Sequence, residues 1–181
     1  MDPLEEKAML SSFRILIDTR EQVTARAKER YESFGCPHSR VTLRYGDYTY
    51  NCTLPDGSAL YDESETLQPR CAVERKMNLD ELAGCLGRDR KRFEREFDRA
   101  REHGCRVYLL VEDGSWEAIL KHRYRSRLHP NAFFKTLTAW RARYNMSIDF
   151  CKAETSGKLI REILYRDLRE RIERGEFDNA R

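Results

Sequence analysis

The chain has 181 residues, of which 36% are charged and 40% hydrophobic, and 34 basic side chains stand against 31 acidic ones. This length suffices for a compact domain with a hydrophobic core, and an aromatic content of 10% argues against disorder. A net charge of +3 neither indicates nor excludes a nucleic-acid partner. With no long apolar run and no signal-peptide pattern, we expect a cytoplasmic chain without a membrane partner.

The spacing of apolar residues predicts alternating strands and helices along the chain. Strands are predicted at residues 13–18, 41–45, 48–52, 71–76, 105–112 and 147–151. Helices are predicted at residues 24–34, at 79–103 with breaks near Gly84 and Gly87, at 115–120, at 131–145 and from Thr155 or Ser156 to 172. Residues 54–69 have the composition of a loop, and the tail after Arg171 is predicted to fray. The alternation is typical of an α/β fold with a central mixed sheet, and we expect a single domain over residues 1–181 with its core at about 13–172.

Six cysteines lie at positions 36, 52, 71, 85, 105 and 151, and none forms a C-x-x-C pair. In a chain that is not exported, we expect free thiols that pack as small apolar side chains. Cys36-Pro37-His38 could form half of a zinc site, but the sequence offers no second half.

An acid and a lysine interrupt the apolar strand at 71–76. Side chains alternate along a strand, so Glu74 and Lys76 point to the same face. Burying both without a partner would be costly, and a metal ion would supply a reason for their presence. Glu74 could bind the ion, while Lys76 could orient the attacking water or help to deprotonate it.

Two further acids follow strands, at points where they could converge with Glu74. Asp18 closes the first strand, and Asp47 follows Gly46, which lets the backbone turn the carboxylate toward the sheet edge. Carboxylates without neighbouring His or Cys suit a hard ion such as Mg²⁺ or Mn²⁺. Each of these residues alone also has an ordinary structural interpretation. Asp47 is typical of a turn, and Asp18 is typical of a helix cap. Glu74 with Lys76 is typical of a solvated cross-strand pair.

These residues resemble, in order and spacing, the nuclease domain of the XPF-type structure-specific endonucleases. The matching segments are Asp18-Thr-Arg-Glu21, Gly46-Asp47, Glu74-Arg75-Lys76 with Asp80, and the stretches 82–86 and 88–97. The overall similarity extends over residues 13–172, nearly the whole chain.

The resemblance implies a restriction-endonuclease-like core of the PD-(D/E)xK superfamily that hydrolyses DNA phosphodiester bonds with Mg²⁺ or Mn²⁺ at flaps, forks and other branched structures. Carried over by position, it assigns metal binding to Asp18, Glu21, Asp47 and Glu74, and the role of catalytic lysine to Lys76. Arg75 and Asp80 become supporting residues of the catalytic group, and Asp80 could instead cap the helix that follows.

The chain also departs from the family pattern. No segment after Arg171 could form the tandem helix-hairpin-helix module that many members carry, and no helicase domain is present. The chain therefore resembles short, stand-alone bacterial or phage forms. Substrate choice would then depend on the domain itself, on a homodimer or on a partner chain.

The charges between Lys121 and Arg143 are all positive. We expect the first part of this segment to contact the DNA backbone through Lys121, Arg123, Arg125 and Arg127, and the alternative is a solvated loop. Apolar side chains follow at helical spacing and are expected in the core, or otherwise on a dimer face: Phe133, Phe134, Leu137 and Trp140.

Two alternatives to a DNA endonuclease of branched substrates remain open at this point. One is a DNA-junction-binding scaffold that does not cut, although every acid and the lysine of the family motif are present. The other is a nuclease that acts on RNA or on unbranched DNA with the same chemistry.

Overall fold

The computed structural model describes residues 1–178. Six strands lie in this part of the chain: β1 (Arg14–Asp18), β2 (His38–Val41), β3 (Tyr48–Asn51), β4 (Cys71–Lys76), β5 (Arg106–Glu112) and β6 (Ser147–Cys151). The helices are α1 (Pro3–Ser11), α2 (Ala25–Glu32), α3 (Leu79–Leu86), α4 (Arg90–Glu102), α5 (Trp116–Leu120), α6 (Pro130–Tyr144) and α7 (Ala153–Glu173).

The strands form one mixed sheet in the order β2-β1-β3-β4-β5-β6. Strand β3 runs antiparallel to both β1 and β4, whereas the pairs β1–β2, β4–β5 and β5–β6 are parallel. Lys76 is paired with Val111, so β4 and β5 end at the same edge of the sheet. Charged residues that close these two strands are therefore brought together.

Helices cover both faces of the sheet. One core joins α3, α4, α5 and α6 to β4, β5 and β6, with Trp140 and Phe97 among its largest buried side chains. The other core joins α1, α2 and α7 to β1, β3 and β4, around Tyr48 and Tyr50. This arrangement confirms the predicted α/β class with a central mixed sheet.

The aromatic residues of α6 belong to the first of these cores. Phe133, Leu137 and Trp140 are fully buried, and Phe134 packs edge-on against Trp116. The expectation that they form core is confirmed, and these side chains do not form an exposed dimer face.

Several boundaries differ from the prediction. The strand predicted at 41–45 is wrong: β2 ends at Val41, where the chain turns so that the Leu43 N–H donates to Asp18 Oδ2. The last helix starts at Ala153, and its Thr155 and Ser156 hydroxyls donate to carbonyls of the preceding turn instead of capping. The break in the helix predicted at 79–103 is confirmed, with Gly87 as the C-cap of α3.

Both ends of the described chain are ordered by contacts that the apolar pattern did not predict. Asp2 forms a capping box with Glu5 at the start of α1. Beyond Arg171, the predicted fraying is wrong for residues up to 178, because Phe177 is buried and the Met1 ammonium pairs with Asp178. Residues 179–181 of the predicted tail lie outside the described residues.

All six cysteines are free thiols, as expected. None of the helices within residues 1–178 combines the length and apolar character needed to cross a bilayer.

Candidate active site

The end of β4 carries a buried ion pair. Lys76 Nζ donates to Glu74 Oε1 at 2.5 Å, and the two side chains are only 11% and 6% exposed. The same ammonium lies 4.9 Å from the ring centroid of Phe93 on α4. Glu74 and Lys76 therefore share the face of the sheet that α4 covers, as their spacing predicted.

Gly46 places Asp47 beside this pair. Its φ of +77° is in the left-handed region, and a Cβ at this position would lie 2.7 Å from Ala72 Cβ. The close approach lets the Asp47 N–H donate to the Val73 carbonyl at 2.9 Å, while Asp47 Oδ2 accepts from the Arg75 N–H at 2.7 Å. Since a side chain at position 46 would prevent this contact, glycine is required to bring the Asp47 carboxylate to the end of β4.

The charges around Asp47 and Glu74 are not balanced. Burial and the neighbouring Glu74 carboxylate raise the pKa of Asp47 well above its usual value. Burial also raises the pKa of Glu74, with a contribution from Glu96, whose Oε1 accepts from the Gly46 N–H at 3.1 Å. Although burial opposes it, the charges of Glu74 and Asp47 raise the pKa of Lys76, so this side chain stays an ammonium. Asp47, Glu74 and Glu96 thus lie close together, and the positive charges that act on Glu74 are the Lys76 ammonium and, more weakly, the Arg20 guanidinium.

A cleft of about 560 Å³ opens onto this group. Six cations line it: Arg20, Arg26, Arg30, Arg75, Lys76 and Arg92. Three acids line it as well: Glu21, Asp47 and Glu81. The walls are therefore rich in cations around an acidic centre, a distribution that suits a phosphodiester approaching a metal ion.

Of the four acids predicted to bind metal, Asp18 and Glu21 pair with arginine side chains. Both Asp18 oxygens are engaged, because Oδ1 accepts from Arg20 Nε at 2.7 Å and Oδ2 accepts from the Leu43 N–H at 2.8 Å. Glu21 pairs with Arg75 at 3.3 Å. Within residues 1–178, no three His, Cys, Asp or Glu side chains gather into a complete metal-binding group. Asp47 and Glu74 remain as neighbouring carboxylates that share a surplus of negative charge.

This pair of carboxylates fits a hard divalent ion. Mg²⁺ is commonly held by one or two carboxylates, with water and substrate phosphate completing its coordination. An added cation would also relieve the repulsion that raises the pKa values of Asp47 and Glu74.

The opposite face of β4 carries a second, balanced set of charges. Arg75 Nη1 lies 3.3 Å from Glu112, which is fully buried at the end of β5. Glu112 also pairs with Arg30 at 3.2 Å and with Arg26 at 3.0 Å, and Arg30 Nε donates to Tyr48 Oη. Arg75 is thus held on two sides, by Glu21 and by Glu112.

The basic segment that follows α5 is an exposed loop. Lys121, Arg123, Arg125 and Arg127 all point to solvent. Asp80, in the first turn of α3, accepts from the Arg125 and Ser126 N–H groups at 2.7 and 2.9 Å. Asp80 is not the helix cap, because Asn78 occupies that position. Its carboxylate therefore contacts the loop and does not line the cleft.

Residues 17–163 match the model of the ERCC4 domain. The chain belongs to this family. The comparison with curated protein sequences gives no match. Family membership supports a structure-specific DNA nuclease and confirms the family predicted from the sequence motif.

Solved structures of XPF from Aeropyrum pernix have the same fold. One is 21% identical with a TM-score of 0.60, and the match covers 90% of this chain and 69% of that one. Another, a complex of that protein with DNA, is 22% identical with a TM-score of 0.59, and the match covers 87% and 65%. The likeness confirms the predicted restriction-endonuclease-like α/β fold.

Four residues of this ERCC4 site were missed in the sequence. Glu112 closes the strand next to β4, and an acid at the end of so apolar a strand was the available signal. Arg26 and Arg30 are four residues apart on α2, so they share a helix face, but nothing local indicates what that face contacts. Glu96 lies among many charged residues of α4, and only the tertiary structure distinguishes it.

Proposed function

We propose that this ERCC4 domain is a divalent-metal-dependent endonuclease that hydrolyses DNA phosphodiester bonds, with a preference for flaps, forks or other branched DNA. The observation that carries the proposal is the unbalanced group of Asp47 and Glu74 beside the Lys76 ammonium, in a cleft rich in cations. Family membership supports the nuclease chemistry.

Asp47 and Glu74 are the residues that would hold Mg²⁺ or Mn²⁺. When bound, such an ion would polarise the phosphodiester and stabilise the negative charge that develops on it. Asp18 and Glu21 would act less directly, since their carboxylates already accept hydrogen bonds from Arg20 and Arg75. They shape the loop between β1 and α2 that forms one wall of the cleft.

Lys76 would act as an ammonium. Because its pKa is raised, it is suited to donating hydrogen bonds to the attacking water or to a phosphate oxygen, and not to removing a proton. Arg75, held by Glu21 and Glu112, presents a fixed guanidinium on the same strand, where it could contact a phosphate. Arg20 and Arg92 are exposed at the cleft and could contact the backbone on either side.

The branched substrate and a possible homodimer or partner chain belong to this proposal as well. A likeness to a protein whose structure was solved in complex with DNA supports a DNA substrate. A second chain would extend the surface that recognises a junction.

The test is cleavage of labelled duplex, single-stranded, 3′-flap, fork and four-way-junction DNA in Mg²⁺, Mn²⁺ or EDTA. Glu74→Gln and Lys76→Ala should each lower the cleavage rate by at least about 100-fold, because the first removes a ligand charge and the second the ammonium. Lys158→Ala, which removes an exposed cation on α7, is the matched control and should cleave like the wild type.

Cleavage that continues in EDTA, or in Glu74→Gln at the wild-type rate, would contradict the metal mechanism. Equal cleavage of all substrates would remove the branched preference. Binding of branched DNA without any cleavage would favour a scaffold, and cleavage of RNA alone would replace the DNA substrate.

A further inference from the structure

Asp80 is the last acid of the family motif, yet all of its hydrogen bonds are made to one distant loop. Oδ1 accepts from the Arg125 N–H at 2.7 Å and from the Ser126 N–H at 2.9 Å. Oδ2 accepts from Arg125 Nε at 3.2 Å. These donors outweigh the partial burial of the carboxyl and lower the pKa of Asp80, so it remains charged.

The loop that Asp80 holds consists of residues 121–127, here named the basic loop. Tyr124 supports it from inside, with its ring packed edge-on against Phe133 and its hydroxyl donating to the Leu128 carbonyl at 2.6 Å. His122 Nε2 lies 2.9 Å from the Ser126 carbonyl oxygen, which closes the turn. Carbonyls of α5 also accept from the loop, with the Arg123 N–H donating to the Ala118 carbonyl at 2.8 Å. Asp80 instead holds the loop from outside α5 and α6, the two helices that it connects.

Inward and outward side chains alternate along the basic loop. Tyr124 and Ser126 are partly buried, while Arg123, Arg125 and Arg127 are exposed. Of these cations and Lys121, only Arg125 has an ion-pair partner within residues 1–178. The loop therefore presents a row of cations with little internal compensation.

Asp80 also places this row next to the cleft. The following residue, Glu81, lines the cleft and accepts from the Met77 N–H at 2.6 Å. The N-terminus of α3 thus contacts the cleft on one side and the basic loop on the other.

We propose that Asp80 is a positioning residue that fixes the basic loop beside the cleft as a surface for the nucleic-acid phosphate backbone. The inference rests on the proposed function for the identity of the substrate. It gives Asp80 no part in metal binding or in the chemical step.

Two variants separate the geometry of Asp80 from its charge. Asp80→Ala and Asp80→Asn both remove one negative charge, which by itself should strengthen binding to a polyanion. Only Asp80→Asn keeps an oxygen that can accept from the Arg125 and Ser126 N–H groups. If Asp80→Ala binds more weakly and Asp80→Asn binds like the wild type, the loss of affinity therefore comes from the position of the basic loop and not from the charge of Asp80.

The experiment measures binding of a labelled fork and of a duplex by fluorescence anisotropy. It is run at several salt concentrations, in EDTA and again with Ca²⁺, a hard ion that carboxylates also bind. Asp80→Ala should weaken binding about five-fold and reduce the slope of log Kd against log salt by about 1, the effect of losing roughly one phosphate contact. Asp80→Asn should stay within about two-fold of the wild type, since it retains the acceptor oxygen.

The charge-matched control is Asp98→Ala, which removes an exposed carboxylate of α4 that pairs with Arg101. Amide hydrogen exchange, followed by NMR, reports on the loop without any substrate. The Arg125 and Ser126 amides should exchange faster in Asp80→Ala than in Asp80→Asn. Where the protein cleaves, Asp80→Ala should raise KM by a larger factor than it lowers kcat.

Equal affinity of wild type and Asp80→Ala would overturn the proposal, as would a kcat loss in Asp80→Asn as large as in Glu74→Gln. A wild type that binds no DNA would overturn both the proposed function and this inference. A wild type that binds without cleaving would overturn the nuclease alone, and the two Asp80 variants would still decide the role of the loop.

Discussion

The two faces of β4 carry similar numbers of charged groups and balance them very differently. On the side of α2, Arg75, Arg30 and Arg26 each lie within 3.3 Å of Glu112. Glu21 also pairs with Arg75 and Asp113 with Arg26, so three guanidinium groups meet three carboxylates. On the side of α4, Glu74 and Asp47 share the single ammonium of Lys76, and both carboxyl groups have raised pKa values.

We interpret the first set as a structural ion network and the second as the proposed binding site. A buried charge with well-placed partners holds a fold together, whereas buried like charges without compensation are costly and persist where a ligand offsets them. The α2 side keeps Arg75 in place, and the α4 side is where we propose that a cation binds.

The largest expected effect is on the balanced side. Glu112→Gln should lower the free energy of unfolding by about 4 kcal/mol, because Arg30 would stay buried without its charged partner. Urea unfolding at neutral pH measures this loss. The control is Asp113→Asn, an exposed neighbour at φ +51° that also pairs with Arg26, for which we expect a change below about 0.5 kcal/mol. Equal stability of Glu112→Gln and wild type would contradict a structural role for the network.

The next effect concerns Gly46, whose backbone conformation places Asp47 next to Glu74 and Lys76. Gly46→Ala should lower the free energy of unfolding by about 3 kcal/mol, because of the left-handed φ and of the contact with Ala72. The substitution should also reduce the rate of cleavage. Gly57→Ala has a similar φ of +85° but meets no atom within 4 Å, so it should cost only about 1 kcal/mol. Thermal unfolding measures both variants, and the difference between their losses of stability is the contribution of the contact with Ala72. Equal losses of stability would show that this contact contributes nothing.

The smallest effect has the opposite sign. A carboxyl group whose pKa is raised on folding lowers stability at pH values above that raised pKa, and the cost disappears below the pKa of the unfolded chain. In EDTA at neutral pH, Asp47→Asn should therefore raise the free energy of unfolding by about 1 kcal/mol, because the amide keeps an acceptor oxygen without the buried charge. The gain should vanish at acid pH. A variant that is less stable than wild type in EDTA at neutral pH would show that the negative charge of Asp47 is already compensated.

The local part of this site was predictable from the sequence. The two-residue spacing within β4 indicated that Glu74 and Lys76 share a face, and Gly46 indicated an unusual turn before Asp47. Both follow from backbone geometry that acts over a few residues.

The long-range part was not predictable. Glu112 and Arg30 are 82 positions apart, and Asp80 and Arg125 are 45 apart, so no local pattern joins them. The strand predicted at 41–45 failed for a related reason. Its alternating residues are held by Asp18 and by an isolated bridge from Leu43 to Leu67, and not by a regular strand pairing.

Calorimetric titration with Mn²⁺ shows whether Asp47 and Glu74 form the proposed site for a divalent cation. The wild type should bind Mn²⁺ with a measurable heat, and Asp47→Asn should bind at least about ten-fold more weakly, because one ligand charge is lost. Binding of equal strength in both proteins, or metal-free cleavage by a wild type that binds no Mn²⁺, would contradict this account of the site.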